Sequence, residues 1–289
     1  MAKLTPPNNP QPVRPGTLIE TEEDIRRAEL ANQAAIPLAT PVGKKAAIRT
    51  AKPAAATPFR PTARPAICMV TVLDDGKSDG EVLRIRGNRF VIGRSEGDFL
   101  IPHDEQISSK HIEISRQLVG GVHRWVVTDL QSTNGLFLRV SRTVLADRSE
   151  FLVGKGRFRF EHTGTHSAET ADYADSTPLP AGTVGFGDFA PAGQHPALVE
   201  LVAGGIGNRI LLTKPEYWIG TDASCAICRP HDPFTEPRHI HLFRDPKGAW
   251  TAQNNKTLNG LWFKVPQVTV EDGCLLQIGE QRMRFKVGG

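Results

Sequence analysis

One feature constrains this 289-residue chain more than any other: it spells a single pattern twice. Phe90-Val-Ile-Gly-Arg94 returns as Tyr217-Trp-Ile-Gly-Thr221, and Lys110-His111-Ile-Glu-Ile114 as Arg238-His239-Ile-His-Leu242. Arg124-Trp125 through Asn134-Gly135 returns as Ala249-Trp250 through Asn259-Gly260, and Leu152-Val-Gly154 through Phe160 as Gln277-Ile-Gly279 through Phe285. The spacing between matched residues stays at 125 to 128, far longer than a solenoid repeat. A duplicated unit of about 95 residues, large enough to bury its own core, is the remaining reading. The boundaries expected are 67–162 and 196–289.

Each unit reads as all-β. Runs such as Ile67-Cys-Met-Val-Thr-Val-Leu, Arg89-Phe-Val-Ile, Arg124-Trp-Val-Val-Thr and Gly156-Arg-Phe-Arg-Phe are short, β-branched or aromatic, and often alternate. Asp-Gly, Gly-Asn, Gly-Gly and Asn-Gly turns separate them. No segment sustains an amphipathic helix of three turns. The expectation is two β-sandwiches with binding loops gathered at their ends.

The rest of the chain differs in composition. Residues 1–66 hold ten Lys/Arg against five Asp/Glu, eleven of the 22 prolines and one aromatic, Phe59. With so little to bury, this basic Pro/Ala-rich stretch is expected to be disordered, apart from a helix-forming island beginning at Glu20. Residues 163–195, rich in Gly, Ala, Ser, Thr and Pro, read as a flexible linker between the sandwiches. No apolar run approaches the ~18 residues of a membrane helix, and the first residues lack the apolar core of a secretory signal. Four scattered cysteines make no disulfide scaffold. A cytoplasmic protein without membrane or nucleic-acid partner is expected; the basic tail lacks the aromatics on which bases stack.

Three short elements of the first unit stand in a telling order: Gly93-Arg94, Ser108-Ser-Lys-His111 and Ser132-Thr-Asn-Gly135. Together, inside an all-β segment, they resemble the signature of the forkhead-associated (FHA) domain, a phosphothreonine-recognition module. The resemblance covers 67–162 well and 196–289 more weakly, so tandem copies are expected, the second degenerate. The residue chemistry fits. A phosphate carries nearly two charges and several strong acceptors, so it calls for an Arg fork, hydroxyls and amide donors together. The resemblance implies that Arg94 and Ser108 hold the phosphate and Asn134 the ligand backbone, with Ser109, Lys110 and Thr133 around them. It gives His111 a structural role, bracing the loop. Gly93, Gly135, Gly220, His239, Asn259 and Gly260 complete the expected framework. In the second unit Thr221, Glu236, Pro237 and Leu258 replace Arg94, Ser108, Ser109 and Thr133, so phosphate binding is expected to be lost there.

Other chemistry finds little support. Cys225-Ala-Ile-Cys228-Arg-Pro-His231 offers zinc-ligand types, but without the two compact ligand pairs of a structural site. Gly182-Thr-Val-Gly-Phe-Gly187 has no strand before it and reads as tether rather than nucleotide loop. No catalytic arrangement can be placed, and no cofactor is expected. The function expected is a phosphothreonine-dependent adaptor downstream of a Ser/Thr kinase, binding threonine-phosphorylated proteins or its own phosphorylated tail. Thr21, followed three residues later by Asp24, and Thr40 and Thr57, each before a proline, are the candidate phosphosites. The alternative is a phosphate-independent scaffold using both sandwiches for protein contacts.

Overall fold

A computed structural model of the chain describes residues 16–21, 23–27, 67–73, 79–162 and 195–287. It is nearly all β. The strand β1 (Leu18–Ile19) comes before the repeats. The first repeat supplies β2 (Cys68–Leu73), β3 (Gly80–Ile85), β4 (Arg89–Gly93), β5 (Phe99–Leu100), β6 (Ile112–Val119), β7 (Val122–Asp129), β8 (Leu136–Val144), β9 (Glu150–Val153) and β10 (Gly156–Glu161). The second supplies β11 (Ala197–Val202), β12 (Gly205–Leu211), β13 (Glu216–Gly220), β14 (Ile227–Cys228), β15 (Ile240–Arg244), β16 (Trp250–Asn254), β17 (Leu261–Val265), β18 (Gln267–Thr269), β19 (Leu275–Ile278) and β20 (Gln281–Val287). Period-two burial explains these strands. In β10, for example, Gly156, Phe158 and Phe160 point inward, while Arg157 and Arg159 stay half-buried and pair with Glu150 and Glu161.

The strand order is a palindrome. One continuous path runs β3-β2-β20-β19-β8-β17-β9-β10-β11-β12. Its centre lies between β8 and β17, which pair antiparallel with Leu138 opposite Phe263. Two further sheets cover its halves. One is β18-β7-β6-β4-β5. The other joins the far end of β8 to β16, β15, β13 and β14 in the equivalent order. Buried residues of most of these strands, from Val70, Ile92 and Val127 to Phe158, Ile240 and Phe285, form one contiguous core.

The two repeats have therefore exchanged their last hairpins. β9–β10, from the first repeat, lies between β17 and β11 of the second. β19–β20, from the second, lies between β8 and β2 of the first. Each sandwich is built from both halves of the sequence, so the expected division into 67–162 and 196–289 does not follow the strand pairing. The hairpins share one alternation: Phe151, Phe158 and Phe160 in one, Leu276, Met283 and Phe285 in the other, each at most 1% exposed. That pattern suits either sandwich edge, and the sequence alone does not distinguish them.

Residues 163–194, expected as a flexible linker between the sandwiches, lie outside the described residues. The strands on either side of them, β10 and β11, pair directly within one sandwich, with Glu161 opposite Ala197. The chain crosses between sandwiches along β8 and again between β17 and β18.

Within the tail, residues 16–21 and 23–27 pack against the fold, and the helix-forming island expected from Glu20 begins among them. β1 runs beside the far half of β8, with Leu18 opposite Arg142 and Ile19 opposite Val140. Glu20 is buried, paired with the equally buried Arg139, and accepts a hydrogen bond from the Asn254 side chain at 2.9 Å. A helical turn over residues 23–27 follows, capped by reciprocal bonds between Thr21 and Asp24. It seats Ile25 against Phe137, Trp262 and Leu275. A charge-matched partner waits inside the fold, which an average over 66 residues conceals. Thr40 and Thr57 lie outside the described residues. Among the described residues, no helix is long and apolar enough to cross a membrane.

The buried pair makes a testable prediction. Glu20→Ala strands a buried guanidinium, so stability is expected to fall by about 3–5 kcal/mol in chemical denaturation. A paired Glu20→Leu/Arg139→Met change should recover most of that loss.

Candidate functional site

The sequence-expected residues converge on the loops at one end of the β4–β7 sheet. Gly93 closes β4, and the chain there passes very near the 108–110 loop. A Cβ on Gly93 would stand 2.1 Å from the Ser109 carbonyl oxygen, which only glycine avoids. That approach lets the Arg94 amide donate to the Ser108 carbonyl at 2.9 Å and the Glu96 amide to the Ser109 carbonyl at 2.9 Å.

His111 ties the second loop to the third. Its Nδ1 accepts from the Ser108 amide at 3.1 Å, so the ring proton sits on Nε2 and is donated to the Gly135 carbonyl at 3.1 Å. The ring is fully buried, and burial holds its pKa below the ordinary histidine range against the opposing pull of Gly135, Asp129 and Asp104. The Ser108 hydroxyl accepts from the Thr133 amide at 3.0 Å, and the Asn134 side-chain amide donates to the Gln106 carbonyl at 2.8 Å. Ser109 and Thr133 are exposed, Ser108 and Asn134 half-buried.

The charges divide clearly. Lys110 pairs with Glu96 at 3.1 Å, both about three-fifths exposed, and is therefore partly neutralised. The half-buried Arg94 guanidinium has no hydrogen-bond or ion-pair partner among the described residues. Arg94, whose side chain has no partner among the described residues, thus follows the strand end that is tied by its backbone to the Ser108 loop, an arrangement suited to a phosphorylated, extended ligand.

The second repeat copies the frame and changes its contents. Glu236 donates its amide to His239 Nδ1 at 3.1 Å, His239 Nε2 donates to Gly260 at 3.0 Å, and Asn259 donates to Phe234 at 3.0 Å. A Cβ on Gly220 would meet the Pro237 carbonyl at 2.0 Å. Where Ser108 presents a hydroxyl, Glu236 presents a carboxylate that accepts the Leu258 amide at 2.6 Å. Arg238 lies 5.6 Å over the Trp218 ring.

Cys225, Cys228 and His231 do not form a ligand set. The Cys225 thiol is buried against the Pro237 carbonyl, its pKa raised by that burial, while the exposed Cys228 faces the Thr221 carbonyl. No group of three or more potential metal ligands forms among the described residues.

Sequence reasoning missed the residues that hold the 102–107 loop: Asp104, Gln106 and, from the exchanged hairpin, Glu280. A signal existed. Pro102-His103-Asp104 recurs as Pro230-His231-Asp232, which makes His231 part of a repeated loop rather than a metal ligand. Both aspartates are buried. Burial pushes the Asp232 carboxyl up, yet the amides of Lys155 and Phe234, with Thr235 and Arg229, hold it below the usual range.

The two buried histidines give a pH prediction. Unfolded, each binds a proton below about pH 6.5; folded, each resists it. The unfolded state then binds more protons, so their contribution is complete above about pH 6.5 and is lost as pH falls from there towards the depressed folded values. The denaturant midpoint should be lower at pH 5 than at pH 7. Equal midpoints would contradict the neutral-imidazole arrangement.

Residues 90–154 match the FHA domain family. No curated protein matches the chain. Among solved structures, it is similar to one of phosphothreonine-dependent FHA domain interactions, at 12% identity over 76% of this chain and 95% of that one, with a TM-score of 0.28. Full-length yeast Pml1p is 25% identical over 26% of this chain and 58% of that one, with a TM-score of 0.23. Mycobacterium tuberculosis EmbR in complex with a low-affinity phosphopeptide is 20% identical over 33% of this chain and 24% of that one, with a TM-score of 0.21.

Proposed function

We propose that the protein is a phosphothreonine-dependent adaptor acting downstream of a Ser/Thr kinase in the cytoplasm. Arg94 and Ser108 take the phosphate, Ser109 and Thr133 supply further donors, Lys110 adds a screened charge, and Asn134 holds the ligand backbone. The observation that carries this reading is Arg94, its guanidinium without a partner among the described residues, on the backbone bonded to the Ser108 loop, which Ser108–Thr133 and Asn134–Gln106 bonds join to the third loop, within the stretch that matches the FHA domain. Titrating the full chain with one peptide in threonine, phosphoserine and phosphothreonine forms tests it. Binding confined to the phosphothreonine form supports the proposal, and equal binding of all three defeats it.

The second repeat is, on this reading, a degenerate copy that no longer takes phosphate. Glu236 would face an incoming phosphate as a like charge, and Pro237 offers no amide. Threonine-phosphorylated proteins in trans are the favoured ligands. Thr21 is exposed, but it adjoins the buried Glu20, so it could serve as ligand only after the tail leaves Arg139.

A further inference from the structure

We infer that the second repeat sets the charge preference of the site on the first, through Glu280; this rests on the phosphothreonine reading above. Hairpin exchange carries the β19–β20 turn, Gly279-Glu280, to the rim of the 102–107 loop. Asp104, 4% exposed, fastens it there. One carboxylate oxygen accepts the Gln106 amide at 2.9 Å, and the other accepts the Glu280 amide at 2.8 Å and the Gln281 side chain at 3.4 Å. The turn can come this close because Gly279 has φ +53°, and a Cβ there would lie 2.7 Å from the Asp104 carboxylate.

Backbone contacts thus hold the turn and leave the Glu280 side chain exposed on the rim. Its Oε1 accepts the Gln106 side-chain amide at 3.0 Å, and the Gln106 carbonyl in turn accepts Asn134 at 2.8 Å. Glu280 therefore stands one residue from the asparagine that would grip the ligand backbone. Its second carboxylate oxygen has no partner among the described residues. Glu105, exposed on the same loop, adds a second negative charge.

The exchange decides this sign. At the equivalent place on the other sandwich stands Lys155, its amide bonded to Asp232 at 2.8 Å and its ammonium 5.4 Å over the Phe234 ring. Had each repeat kept its own hairpin, Lys155 would occupy the rim beside Gln106. The phosphate pocket around Arg94 is basic and its rim acidic, which fits a phosphothreonine flanked by lysine or arginine.

The test uses the full chain and matched phosphothreonine peptides bearing Lys or Glu at each of three positions on either side. Wild type is expected to favour lysine at one or more positions by about three- to fivefold, the scale of an exposed ion pair. Glu280→Gln should erase that preference and Glu280→Lys reverse it, with unchanged dependence on the phosphate and an unchanged melting temperature. The same preference in wild type and Glu280→Lys overturns the inference and leaves the phosphothreonine reading standing. Absence of phosphate-dependent binding by wild type overturns both.

Discussion

Replacing Arg94 with alanine is expected to abolish phosphothreonine-peptide binding while the protein melts as wild type does. Removing one partner of a desolvated, charge-assisted pair costs about 2–5 kcal/mol, a loss of roughly 30- to several-thousand-fold. The fold should not notice, because among the described residues Arg94 bonds through its backbone amide, to the Ser108 carbonyl, and not through its side chain. Arg94→Lys should rescue only part of the affinity, since an ammonium cannot supply the bidentate fork. Ser108→Ala should weaken binding and also loosen the loop, because the hydroxyl is what the Thr133 amide donates to. Calorimetric titration of the three variants separates these effects. Wild-type affinity in Arg94→Ala would remove the site from consideration.

The second large effect concerns where the chain can be cut. Residues 67–162 expressed alone are expected not to form a monomeric sandwich. They lack β18 to β20, and with them Leu276, Ile278, Met283 and Phe285, all fully buried against the first repeat's strands. Fully burying such side chains contributes about 1.5–3 kcal/mol each, comparable in total to the entire ~5–15 kcal/mol stability of a domain. The chain leaves its own sandwich along β8 before β9 begins, so the fragment's hairpin is delivered away from its own edge. Two fragments exchanging hairpins would rebuild the palindrome, so a dimer is the expected folded form. Replacing residues 163–194 with a short turn should do the opposite and preserve the whole fold, because the strands it joins are already neighbours. Light scattering and thermal melting distinguish the outcomes. A stable 67–162 monomer with full phosphopeptide affinity would refute the importance of the exchange.

Local chemistry explains what the sequence made legible. Arg94, Ser108, His111 and Asn134 lie within about forty residues, and each is marked by a neighbour whose geometry it needs, such as Gly93 or Gly135. Period-two alternation likewise announces β structure strand by strand. What it leaves out is which strand pairs with which, because β10 and β20 bury the same face in the same rhythm. The Glu20–Arg139 pair spans more than a hundred residues and has no periodic trace. Asp104 and Glu280 meet across 176 positions, and only the second Pro-His-Asp triplet hinted that the loop was part of the repeated machinery.

The palindromic sheet has a consequence for how the candidate site endures. Two separate chains exchanging hairpins would fall apart on dilution, and their sites would come and go with concentration. Here one polypeptide supplies both halves, so each hairpin meets its berth at the high effective concentration of a tethered group, whatever the amount of protein present. The tether also frees the halves to diverge. Thr221 and Glu236 could replace an arginine and a serine without disturbing the strands that complete the neighbouring site. Damage to the second repeat's last twenty residues, by contrast, is damage to Arg94's own pocket.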